Sequence, residues 1–139
     1  MVDIDLIRSK ITSLEHNLSR LKEKSVLSWE QFRNDLDTQD IVLHNLQLAI
    51  QICVDIGNHI IADENWKVPT TLGDTFQILA ANKVILRDMA QTMVSMTGFR
   101  NILIHEYEEV DLKKVYHILT NRLSDFADFS CQIFKYLRI

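Results

Sequence analysis

The stretch Thr97-Gly98-Phe99-Arg100-Asn101-Ile102-Leu103-Ile104-His105-Glu106-Tyr107 holds the side chains best suited to chemistry in this chain. Histidine, with an unperturbed pKa near ~6.5, can take up and return a proton at neutral pH. Arginine stays charged, and its planar fork donates paired hydrogen bonds to phosphate oxygens. Asn101 precedes His105 by four residues, so both lie on one helical face. Its amide can orient the imidazole or position a phosphate. The set therefore suits proton transfer beside a phosphate ester. No carboxylates cluster at metal-binding spacing, which argues against a two-metal nuclease. His16, His44, His59 and His117 are scattered without ligand spacing.

Spacing alone leaves alternatives open. Residues five apart on an ideal helix differ by about 140° of rotation, so Arg100 and His105 point in different directions. They converge if the helix frays at His105, if a cleft wraps around the helix end, or if a second subunit lies across the same surface. Each residue also has a plainer reading. Arg100 can pair with Glu106 or Asp88, His105 can interact with the helix macrodipole, and Tyr107 can be a core-edge or interface tyrosine.

The elements that must position these groups follow from apolar periodicity. Ile4, Ile7, Ile11, Leu14, Leu18 and Leu21 alternate spacings of three and four, which predicts a first helix with a narrow seam. Residues 24–36 read as a connection with a short helical piece. A second long helix is predicted from about Thr38 to Ala62, its broad face placing it centrally. Pro69 disfavours helix at Val68. Thr71 with Asp74 resembles a capping box and opens a short helix with Leu72, Phe76 and Leu79 inward. The next helix starts near Val84, with Leu86, Met89, Met93 and Met96 on its seam. Extending that register places Arg100, where an apolar residue is expected, and then Leu103. Asp111 is an N-cap candidate for one last helix carrying Leu112, Val115, Leu119, Leu123, Phe126, Ile133 and Leu137 inward. The predicted fold class is all-α: four long helices plus a short one, packed up-and-down.

Composition agrees. Glycine and proline number only four of 139 residues, far below the average ~12%, so a β-sandwich or barrel lacks its turns. Hydrophobic residues make up 47%, which excludes disorder and suits a single domain over residues 1–139. The N-terminus is acidic where a leader would be basic, and no apolar run reaches ~18 residues, so neither secretion nor membrane insertion is expected. Cys53 and Cys131 lie far apart and read as buried apolar residues in a reducing cytoplasm. A net charge of −4 argues against broad non-specific nucleic-acid binding but permits a local site.

The string Arg100-Asn101-x-x-x-His105-x-Tyr107 resembles the signature of HEPN-domain ribonucleases, in the HepT branch. HepT is the toxin of prokaryotic HepT/MntA (HEPN/minimal nucleotidyltransferase) toxin–antitoxin pairs. Val68-Pro69-x-Thr71-x-x-Asp74-x-Phe76-x-x-Leu79 and Leu46-Gln47-x-Ala49-Ile50-Gln51 are also similar to the family, and the match extends from about residue 38 onward. The resemblance implies a HEPN-type bundle and metal-independent RNA cleavage without a cofactor. Arg100 and His105 would be catalytic, with Asn101 in support. It implies that an MntA-like nucleotidyltransferase antitoxin attaches AMP to Tyr107. RNA is then the expected substrate, and DNA is not. A homodimer is expected as well, because cleavage needs both a base and an acid and one chain offers a single such histidine. The rival reading is a non-catalytic HEPN-like binding or regulatory module; a purely structural helical subunit is third.

Overall fold

The computed structural model describes residues 1–105 and 110–139. Among these the regular structure is helical throughout: α1 (Ile4–Lys24), α2 (Trp29–Arg33), α3 (Leu36–Asp63), α4 (Leu72–Ala81), α5 (Arg87–His105), α6 (Leu112–Asn121) and α7 (Leu123–Leu137). The chain is thus the all-α bundle its periodicity predicts.

Side chains cap most helix starts. Asp3 accepts from the Leu6 N–H, and Ser28 with Gln31 forms a reciprocal box on α2. Asp35 caps α3, and the Thr71–Asp74 box forms as predicted, with Thr71 Oγ1 accepting the Asp74 N–H at 3.1 Å. Asp111 accepts from Lys113 and Lys114 at the start of α6. Each of these supplies an acceptor for N–H groups that a first turn leaves unpaired.

The central helix is α3, as its broad apolar face requires. Leu46, Ala49, Ile50, Cys53, Val54, Ile56 and Ile60 are fully buried along it. It packs against α1 through Ile7, Ile11, Leu14 and Leu21, and against α4 and α5 on other sides. Met89, Met93 and Met96 of α5 enter the same core, with Phe76, Phe126 and Phe129. Phe76 and Phe129 meet edge-to-face at 5.7 Å. Gly57 marks the tightest crossing: a Cβ there would lie 2.5 Å from Thr75 Cγ2, so α3 and α4 approach as closely as they do only because that position is glycine.

Four expectations need correction. The third long helix begins at Arg87 rather than near Val84, because Lys83 takes a left-handed conformation (φ 61°) that ends α4. Val84 and Ile85 are buried from the connection, and Leu86 is 67% exposed instead of lying on the seam. The single last helix is two, α6 and α7, interrupted at Arg122 (φ −119°, ψ 5°). Cys131 is exposed, not buried, because it lies on the outward side of α7. Cys53 is buried as expected, and burial pushes its thiol pKa far up, leaving it inert.

Candidate active site

Helix α5 carries the motif, and its register decides where each residue points. Met89, Met93, Met96 and Leu103 are buried on its inner side. Arg100 falls on that same side and is half-buried. Its Nε is shut away from solvent and has no hydrogen-bond partner among the described residues. A buried guanidinium donor without an acceptor is costly, by about 1–3 kcal/mol. Asp88 cannot relieve it. Twelve residues of helix separate the two by roughly 18 Å along the axis. Glu106, the other partner weighed for Arg100, lies outside the described residues, as do Tyr107, Glu108 and Glu109.

His105 is the last residue of α5 and is exposed. Asn101, one turn earlier on the same face, is exposed too. Gly98 continues that strip, and a Cβ built there would meet nothing within 4 Å. A glycine inside a helix costs about 0.5–1 kcal/mol relative to alanine, and no described residue occupies the space it leaves. The helix stays regular through His105, so the fraying that would swing the imidazole toward Arg100 does not occur in this segment. Arg100 and His105 therefore share a helix end but look about 140° apart around it.

Helix α4 braces this arrangement. A Cβ on Gly73 would sit 3.5 Å from Val94 and 3.8 Å from Thr97 Oγ1, so the start of α4 lies directly on the turn of α5 before the motif. That start is fixed by Asp74, whose carboxylate accepts the Thr70 hydroxyl at 2.5 Å and the N–H groups of Thr70 and Thr71 at 3.0 and 3.1 Å. The Thr70 hydroxyl above all holds the Asp74 carboxyl below its ordinary 3.8. Among the described residues no group of three or more His, Cys, Asp or Glu side chains could hold a metal ion.

The fold also assembles a feature that the sequence reading missed. A groove of about 380 Å³ runs between α5 and α6, with Gln91, Ser95 and Phe99 on one wall and Lys114, His117 and Arg122 on the other. A second cleft of about 310 Å³ lies on the far side of α6, between Lys113, Tyr116, His117 and Trp29. No local signal in the sequence says that α5 and α6 flank one groove. Another cleft, about 650 Å³, lies between α1 and the α6–α7 junction and is lined by none of the motif residues.

The family described as Ribonuclease HepT-like matches residues 14–133. The mRNA nuclease HepT of Shewanella oneidensis is 34% identical over 125 residues, covering 90% of this chain and 93% of that protein. The tRNA nuclease HepT of Aphanizomenon flos-aquae is 25% identical over 132 residues, or 95% and 90% of the two chains. A solved structure of the tri-AMPylated Shewanella oneidensis HEPN toxin in complex with MNT antitoxin superposes with a TM-score of 0.89 at 32% identity, covering 96% of this chain and 99% of that one. No described helix is long and apolar enough to cross a membrane.

Proposed function

The chain belongs to the Ribonuclease HepT-like family, and on that premise we propose that it cleaves RNA through Arg100 and His105 and is silenced by AMP attached at Tyr107. It is a ribonuclease toxin of a HEPN/nucleotidyltransferase pair, and a nucleotidyltransferase antitoxin neutralises it by AMPylation. The whole chain acts as one domain, in the cytoplasm. The observation that carries the assignment of residues is the half-buried Arg100 on the apolar side of α5, whose Nε has no hydrogen-bond partner among the described residues.

The chemistry needs no metal ion. RNA supplies the nucleophile, the 2′-hydroxyl beside the scissile phosphate. A base removes its proton, the 2′-oxygen bonds to phosphorus, and the bond to the 5′-oxygen breaks as an acid protonates that leaving oxygen. The product is a 2′,3′-cyclic phosphate and a free 5′-hydroxyl. Arg100 donates to the non-bridging oxygens, where charge builds up in the phosphorane. Asn101 orients His105 or holds the phosphate.

The 140° between Arg100 and His105 argues for a homodimer, since one α5 does not present both to a single phosphate. An isologous pair brings two copies of each residue around one two-fold axis, with one His105 as base and the other as acid. The open space beside Gly98, on the His105 face, leaves room for close approach of the second copy. Light scattering at micromolar concentration should give twice the 16.2 kDa chain mass. A monomer that still cleaves RNA would contradict this arrangement.

Tyr107 follows His105 by two residues. AMP on its hydroxyl adds a phosphate charge and a bulky base where an RNA phosphate must enter, and both repel substrate without unfolding the bundle. Co-expression with the nucleotidyltransferase should add AMP masses to the chain, and Tyr107→Phe should remain unmodified and toxic. A Phe variant modified as readily as the parent would exclude this site.

A further inference from the structure

We propose that the groove between α5 and α6, with Lys113 on the far flank of α6, is the track along which single-stranded RNA reaches the end of α5; this rests on the ribonuclease reading above. The chain carries a net −4, yet among the described residues no carboxylate lines either cleft flanking α6, while Lys113, Lys114 and Arg122 all open onto them. The larger cleft beside α1 holds Glu15 with Lys22, and its charges cancel. A polyanion approaching this acidic molecule therefore finds one face that attracts it.

Gln91 and Ser95 face the cations with neutral polar groups that can hydrogen-bond to sugars and phosphates irrespective of sequence. Arg122 Nε lies 2.8 Å from Asp125 Oδ2 in an ion pair at the end of the groove. Lys114 lies 5.8 Å from the centre of the Phe99 ring, which holds the ammonium against the groove floor. Across α6, the half-buried Trp29 packs edge-on against Tyr116 at 5.6 Å and offers an aromatic surface beside Lys113. Cations alternating with an aromatic surface are what a flexible strand with exposed bases requires.

Gln91 to Phe99 spans about 12 Å of α5. Beyond Phe99 the i, i+3 ridge continues through Ile102 to His105, so the groove leads up to the catalytic end of the helix rather than away from it.

The test uses the full chain with His105→Ala to silence cleavage and a fluorescein-labelled single-stranded RNA as probe, read by anisotropy over a salt series. Lys113→Ala/Lys114→Ala should weaken binding about tenfold. It should also lower the slope of log affinity against log salt by about 0.7 for each lysine. Ser95→Glu, which places a carboxylate in the groove from an exposed helix position, should weaken binding by a similar factor. Lys67→Ala/Lys135→Ala, with the same change in net charge elsewhere, should not move it. In chains that retain His105, cleavage at subsaturating RNA should fall in parallel with affinity for the groove variants. Groove variants that bind RNA with parental affinity and slope overturn the proposal, as do groove variants that keep RNA but lose the nucleotidyltransferase partner. Failure of the parent to cleave any RNA would instead count against the ribonuclease reading, and the anisotropy would still decide the groove.

Discussion

Arg100 and His105 sit five residues apart and meet opposite environments, one against the core and the other in solvent. The difference sets different consequences for substitution. His105 is exposed at a helix end, so His105→Ala should cost activity alone: about 10²–10⁴-fold in cleavage rate, the usual worth of general acid–base catalysis, with thermal unfolding unchanged. Arg100 is built at the expense of the fold. Arg100→Met keeps an unbranched stem in the apolar side of α5 and removes the buried, unpartnered Nε. It should abolish cleavage while raising stability by about 1 kcal/mol, read from urea unfolding. A loss of stability would mean that Arg100 is a structural pair and not a catalytic group. Types and spacing made both residues legible in the sequence, because an arginine at a core register position violates the pattern around it. Their mutual geometry was less legible. The spacing left open whether the helix frays at His105, and the structure keeps it helical to that residue.

Among the elements, legibility followed capping chemistry. Thr71 with Asp74 and Asp111 announce their helices because a side-chain oxygen must meet an N–H two or three residues on. The C-termini were silent for a reason visible in the backbone. Three helices end on left-handed residues that are not glycine: Asn65, Lys83 and Arg138. In each case the following N–H reaches back to close the last turn, as Val84 does to Leu79 O at 2.9 Å. A lysine in that conformation carries a steric cost of about 1 kcal/mol. Lys83→Gly should recover it and raise the unfolding midpoint by roughly 3 °C. The interruption at Arg122 was hidden because Leu119, Leu123 and Phe126 keep spacings of three and four straight across it. Gly57 makes an opposite prediction. Alanine there would drive a methyl group into Thr75, whose hydroxyl donates to Asn58 Oδ1 at 2.7 Å, so the threonine cannot rotate away without losing that bond. Gly57→Ala should destabilise the protein by about 1–3 kcal/mol in a denaturant melt and, by tilting α4, disturb its contact with α5. Cleavage should fall with it even though the motif is untouched.

For the whole molecule, an acidic helical bundle acts on a polyanion by concentrating its positive charge locally: Arg100 at one helix end and the cations of α6 along the approach to it. The scaffold contributes rigidity. Helix α3 fixes α4, α4 braces α5, and α5 sets Arg100 and His105 about 140° apart, the angle for which we propose a second copy of the chain. Oligomeric state and activity should accordingly fall together on dilution. We propose that the chain cuts RNA with its own side chains and the substrate's own hydroxyl. Purified, unmodified protein should be incubated with RNA in excess EDTA and the new 3′ ends identified by mass. Cleavage should be undiminished and leave 2′,3′-cyclic phosphate ends, both lost in His105→Ala. Cleavage that disappears in EDTA, returns with magnesium and leaves no cyclic phosphate would rule this chemistry out.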